Sequence, residues 1–293
     1  MDRRDGVQTQ VVHQQNRIVG QPPTRYQGWL HVLGGLMLLL AVFVMLGSVT
    51  PAYADVVQCG AVLGPGGRVT LEQDIACPLS DNSPSVTVRD GAILDLNGHT
   101  VTCRSTCVLL TGKGAKLLNG TVKGHNHDSI ALNGTDRHAV RNVTSLGPVD
   151  GNVHVDSDHN TLIDVMAESV ISAAVAIAGH HNLLANSIAL CPQVESCIFV
   201  GGDGNRVIDN FVRAESDSRA LVVTGDNNVV QGNRLILTGF LLHGLIVSGT
   251  GNRLTGNTAI TEDGVDLVDV NGDCAHNTWR HNIFVTREPA CIK

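Results

Sequence analysis

One pattern constrains this chain more than any other. Asn160, Asn182, Asn205, Asn228, Asn252 and Asn277 follow one another at steps of 22, 23, 23, 24 and 25 residues. A fixed period in this range marks a stacked solenoid. A second series keeps the same beat. Apolar residues recur at Val86, Val108, Ile130, Val153, Val175, Ile198, Leu221, Leu245 and Val265. Each has an apolar partner two positions later: Val88, Leu110, Leu132, Val155, Ile177, Val200, Val223, Val247 and Leu267. Alternation with period two reads as a strand with those side chains on one side. No apolar run at helical spacing lies between copies. A short strand cannot bury its apolar face alone, so successive copies must stack, and like-directed copies make parallel sheets. The expected fold is all-β: a single-domain right-handed parallel β-helix of about nine rungs, handed by the usual crossover chirality.

Asn142, Asn210, Asn233, Asn257 and Asn282 read as one column, with Val165 and Ser187 filling it elsewhere. Amides stacked at about 4.8 Å can bond along the column, and asparagine tolerates the left-handed backbone of a tight corner. The reading is a structural ladder, not a ligand site.

These residues carry a resemblance. With Leu94-Asp95-Leu96-Asn97-Gly98-His99-Thr100-Val101 in an early rung, the repeated Asn-x-x-x-x-Asn, and Asn277-Thr278-Trp279-Arg280-His281-Asn282 before Cys291-Ile292, the chain from Cys59 to Ile292 resembles the secreted right-handed parallel β-helix proteins. This is the broad pectate-lyase-like and NosD-like group. The resemblance implies the fold. It implies function only loosely, since the group spans lyases, hydrolases, epimerases, binders and adhesins.

Residues 1–28 are polar, and Trp29 to Val49 is almost wholly apolar. Ala52-Tyr53-Ala54 then offers a small-x-small cleavage site. Residues 1–54 therefore read as a secretory signal cut after Ala54, the alternative being an uncleaved membrane anchor. The expected location is secreted, periplasmic or cell-surface. Beyond the leader the chain carries 16 basic and 25 acidic residues, a balance of −9. That argues against nucleic acid and against an anionic membrane surface, leaving membrane contact only through an uncleaved leader. It also disfavours a polyuronate, unless a local basic site reverses the field.

All eight cysteines follow the leader, which suits disulfides in an exported chain. The repeat register suggests Cys103–Cys107 and Cys191–Cys197 as corner staples. Cys59–Cys77 would tie an N-terminal cap of strands over 55–85, and Cys274–Cys291 would close the C-terminal end of the helix spanning 86–293. No cysteine pair has zinc-site spacing, and no metal or cofactor is expected.

Chemistry must sit on outward positions. Between the apolar columns the outward residues are Thr87, Leu109, Ala131, His154, Ala176, Phe199, Val222, Ile246 and Asp266. Phe199, Val222 and Ile246 make an expected apolar exterior stripe, a candidate binding surface with His154 and Asp156. A neighbouring outward column reads Asp128, Gly151, Ala173, Ser196, Arg219, His243 and Asp263. Its last three members, with Asp266 beside them, form the candidate catalytic set. The aspartate would orient the histidine as general base, and the arginine would meet a substrate anion. His125, His127, Asp128, Asp150, His154 and Asp156 form a second cluster. Asp158, His180, Asp203 and Asp226, with His159 and His181, form a third at a turn, where such residues suit special backbone angles.

Motifs of better-known enzymes of this kind are missing. No Asp-Pro-His-Glu run occurs, nor the Asn-Thr-Asp, Asp-Asp and Gly-His-Gly set. Beyond the leader there are four lysines, no tyrosine, and only Phe199, Phe211, Phe240, Phe284 and Trp279 as aromatics, with Trp279 inward at the C-terminal end. Two functions stay open. One is an exported protein that binds extracellular polysaccharide or another cell-surface component, or serves as a surface or adhesion scaffold. The other is a polysaccharide lyase or glycoside hydrolase using Arg219, His243 and Asp263.

Overall fold

The structure is a computed structural model that describes residues 57–78, 84–147, 152–215, 217–240 and 242–293. The leader with its cleavage or anchor reading, Asp150 and Gly151 lie outside these residues. The described chain is a parallel β-solenoid without helices. Its strands form an 11-stranded first sheet and a 16-stranded second sheet, and every paired strand is parallel to its neighbour.

One rung shows why the sequence coils this way. Strand Arg219–Val223 belongs to the first sheet. The chain turns through Gly225 to Asn228, runs as Val229–Gln231, turns again at Gly232-Asn233, and continues as Arg234–Thr238 in the second sheet. Leu221, Val223, Val230, Leu235 and Leu237 point inward and are buried. The next rung brings Leu245 beside Leu221 and Val247 beside Val223. The alternation thus yields one continuous apolar column structure, as a repeat of this kind requires. Strands Ala61–Leu63, Arg68–Thr70 and Ile75–Ala76, from the segment lacking the repeat, pair in parallel with Val86–Arg89, Ile93–Asp95 and Thr100–Thr102.

At each corner the strand ladder is interrupted, and the asparagines take over. The backbone N–H of Asn205 donates to Oδ1 of Asn228 at 2.6 Å, Asn228 to Asn252 at 2.7 Å, and Asn252 to Asn277 at 2.9 Å. At the other corner Asn210, Asn233 and Asn257 do the same toward Asn233, Asn257 and Asn282, each at 3.0 Å. A buried N–H without a partner is costly, so a side-chain acceptor on the following rung is what makes a sharp buried corner affordable. Asn142 does not belong to this column. Val143 is the residue in register with Val165, whose N–H donates to Ser187. Asn142 stands one position earlier, exposed, with φ 53°, among the left-handed corner residues Asn119, Asp164, Asn186 and Asp209. A one-residue offset turns a side chain from the inside to the outside.

All four expected cysteine pairs, the two corner staples from the register and the two cap ties, stand at disulfide geometry. Their Cα separations are 5.4 Å for Cys59–Cys77, 5.3 Å for Cys103–Cys107, 5.6 Å for Cys191–Cys197 and 6.1 Å for Cys274–Cys291. They point to an oxidising compartment. Among the described residues no helix is long and apolar enough to cross a membrane.

The last rung departs from expectation. Leu245 pairs with Leu267, not Val265, and Val265 lies beside His243. Asp266 therefore points inward, 1% exposed, instead of outward. Its carboxylate accepts from Thr261 N at 2.7 Å, Thr261 Oγ1 at 2.9 Å, Val285 N at 2.6 Å and Thr286 N at 2.8 Å. Asp269, also buried, accepts from Trp279 Nε1 at 2.9 Å. Trp279 is itself buried. At the end of a solenoid no further rung supplies acceptors, and these carboxylates serve that purpose.

Candidate functional site

The outer face of the first sheet is one continuous column. Ala131, His154, Ala176, Phe199, Val222, Ile246, Val268 and Glu288 follow each other in direct register on successive strands. Phe199 and Ile246 are half-buried. Val222 between them also faces outward, but its two neighbours cover it so well that only 8% is exposed. Two residues of the expected stripe, Phe199 and Val222, therefore line a depression, and Ile246 lies outside its lining. The depression is a groove of about 530 Å³, lined by Ile171, Ala176, Glu195, Phe199, Arg219 and Val222 among others. Ile171 and Glu195 come from turns that precede first-sheet strands, where the rungs vary in length. No terminal segment among the described residues lines it.

Arg219 and His243 lie side by side on neighbouring strands. Arg219 pairs with Glu195, Nη1 to Oε1 at 2.8 Å, at the rim of the groove. Burial, and then the Arg219 charge, push the His243 imidazole below the usual histidine range, with Glu288 opposing. The carboxylates expected to complete this set are elsewhere. Asp263 precedes the strand Gly264–Asp269, its side chain exposed and its carbonyl accepting from Leu242 N at 3.1 Å. The residue in register with His243 is Val265, and Asp266 is buried in its clamp of four donors. Arg219, His243, Asp263 and Asp266 are thus not brought together as a catalytic set, because the last strand is displaced by two residues. Glu195, the actual partner of Arg219, was not singled out from sequence. Its signal is its place one residue before Ser196, which pairs with Arg219 in register.

Further along the same column, His154 is held between two carboxylates. Nδ1 lies 3.4 Å from Asp128 Oδ2 and Nε2 lies 3.0 Å from Asp156 Oδ1, with 38% of the side chain exposed. The hydrogen bond with Asp128 raises its pKa. Burial opposes, and the charges of Asp128 and Asp156 add to the rise. Ala131 and Ala176 flank it on either side, so nothing bulky covers the ring along the column. Two strand spacings, about 10 Å, separate it from Phe199. His125 and His127 make no ion pair with this group among the described residues, and no cluster there is suited to a metal ion.

The turn cluster has a structural explanation. Asp158 accepts the N–H of His180 at 2.7 Å, His180 Nδ1 that of Asp203 at 2.9 Å, Asp203 that of Asp226 at 2.8 Å, and Asp226 that of Thr250 at 2.7 Å. His159 and His181 occupy left-handed positions, both at φ 56°, with ring centroids 5.1 Å apart.

Comparison with known proteins adds no relative: no family model, no curated protein and no solved structure matches this chain.

Proposed function

We propose that this is an exported β-helix of the pectate-lyase-like and NosD-like kind that binds an extracellular polysaccharide along the outer face of its first sheet. One observation carries the reading. Ala176, Phe199 and Val222 give the groove an apolar floor to which Ile171 adds a further apolar side chain, while Arg219, Glu195, Ser196 and Thr224 supply polar groups in the same lining. A sugar chain offers apolar ring faces and hydroxyl edges, which suits a floor and rim of this composition. A cell-surface or adhesion role follows if the glycan belongs to a neighbouring surface. The test is a glycan array on the exported protein, repeated with Phe199→Ala. The expected result is binding that falls roughly tenfold or more in the variant, with an unchanged melting curve. Absence of any bound glycan, or equal binding by the variant, refutes it.

A second reading rests on His154. A histidine held by Asp128 and Asp156 beside an open groove is equipped to hand over or take up a proton, as a glycan-cleaving enzyme requires. Product release from a panel of polysaccharides, abolished by His154→Gln while binding persists, would favour it. An inert wild-type protein that still binds glycan leaves the binding function alone.

A further inference from the structure

The second sheet carries a different surface. On its outward positions stand Arg206 and Arg253, which occupy one column on alternate rungs with Val229 between them. Arg280 lies one rung beyond, diagonal to Arg253. Around the asparagine corner stand Arg234 and, one rung earlier, Arg213. All five are exposed. Arg213 pairs with Glu215 at 3.0 Å. Arg206, Arg234, Arg253 and Arg280 make no ion pair among the described residues.

The acidic groups nearby are few. Asp209 is exposed at the corner, Glu215 is taken by Arg213, Glu262 accepts from Gly239 N at 3.1 Å, and Asp273, which lines a depression with Arg280, lies 3.7 Å from His276 Nε2. Across the other corner, Asp203 and Asp226 hold the N–H groups of the next rung. A chain with net acidic charge has therefore gathered unpaired guanidinium groups on the outward strands of its last rungs. Arginines so placed repel one another, and a solvated face has no need to concentrate them. Guanidinium is also the side chain that meets carboxylate or sulfate with two parallel hydrogen bonds.

We propose that this face binds a polyanionic glycan, one bearing carboxylate or sulfate groups at regular intervals, laid along the solenoid axis across Arg206, Arg253, Arg280 and Arg234. Arg206 and Arg253, two strand spacings or about 10 Å apart, then meet anions spaced along one polymer. The face is separate from the groove on the first sheet and does not depend on it, so either can fail alone.

The test measures binding of the full-length protein to immobilised polygalacturonate and dextran sulfate, with unsubstituted dextran and duplex DNA as controls. The expected result is binding to at least one polyanionic glycan, none to dextran, and a loss of about tenfold or more on moving from low to physiological salt. Arg206→Gln with Arg253→Gln weakens it, and adding Arg234→Gln and Arg280→Gln removes it. Asp209→Asn, which removes an exposed carboxylate at the corner of this face, strengthens it. Preference between the two probes tells carboxylate from sulfate. Absence of polyanion binding at low salt, indifference to the arginine substitutions, or equal binding of duplex DNA overturns the proposal.

Discussion

Asn142 and Asn233 look alike in sequence, each an asparagine near a strand end, one repeat series apart. The same substitution should separate them sharply. Asn233 is 1% exposed. Its Oδ1 accepts from Asn210 N at 3.0 Å and from Asn210 Nδ2 at 2.9 Å, and its Nδ2 donates to Val207 O at 2.8 Å and Asn257 Oδ1 at 2.9 Å. Asn233→Gly leaves the Asn210 N–H without its acceptor inside a buried corner, which costs about 1–3 kcal/mol. The bond to Val207 O contributes about another 1 kcal/mol, and glycine's extra chain entropy roughly 0.5–1. The Asn210 amide keeps Leu184 O at 3.0 Å and Asn257 Oδ1 keeps the Asn233 N–H at 3.0 Å, so those partners are not orphaned. The expected loss is about 3–5 kcal/mol, or on the order of 10 °C in melting temperature for a domain of this size.

Asn142→Gly should do almost nothing. The residue is exposed at φ 53°, a conformation glycine adopts freely, and its amide makes one bond, to Asn119 Oδ1 at 3.2 Å. The expected change is within about 0.5 kcal/mol. Urea unfolding followed by circular dichroism measures both. Equal losses in the two variants would mean that the corner ladder does not carry the stability assigned to it.

Val223→Asp buries an unpaired carboxylate and should cost about 4 kcal/mol or more, whereas Phe199→Asp, on the outward column, should leave the thermal melt nearly unchanged; similar melts would place both side chains inside. Asp266→Ala strands the backbone N–H groups of Val285 and Thr286 and should cost about 3 kcal/mol, with limited proteolysis cutting first near the C-terminal end. The histidines predict opposite pH trends. His154, raised by its aspartates, stabilises the fold below the ordinary value near 6.5, and that contribution fades as pH rises through its higher folded value. His138 is buried, with Nδ1 accepting from Ala115 N at 3.2 Å, and burial lowers its pKa. Its stability is intact above the ordinary value and is lost as pH falls toward the depressed one. Urea midpoints against pH should therefore flatten on the alkaline side in His154→Gln and on the acid side in His138→Gln. A wild-type profile retained by both variants would refute the assignment.

The repeat made the interior legible because an inward column is repeated on every rung, and each copy checks the others. It failed where copies stop being redundant. In the last rung Asp266 and Asp269 occupy inward slots, which breaks the apolar alternation and hides the true register. The spacing from the ladder holds the missed signal. Leu221 follows Asn210 by 11 residues, Leu245 follows Asn233 by 12, and Leu267 follows Asn257 by 10, whereas Val265 would stand only 8 away. The candidate site was legible to the same extent. His154, Phe199, Val222 and Ile246 lie on the expected outer column because they sit in well-determined rungs, and Asp156 stands beside His154 just past the strand end. Asp263 and Asp266 do not, because they sit in the displaced one. Glu195 lies in a turn of variable length, where no column constrains it.

Net charge is a weak guide to what such a molecule binds, and the corners show why. Asp158, Asp203 and Asp226 sit at turns holding the backbone N–H of the next rung, and Asp266 and Asp269 close the end of the solenoid. Their positions are set by the architecture, which needs acceptors wherever a strand ladder is interrupted. The outward strand positions are free of that demand, and there the composition differs between faces: an apolar floor with a single ion pair at its rim on the first sheet, unpaired arginines on the second. A ligand meets a face at a few ångströms, while charge beyond about 8–10 Å is screened at physiological salt. The overall acidity thus governs solubility and long-range approach, and the local face governs what is held.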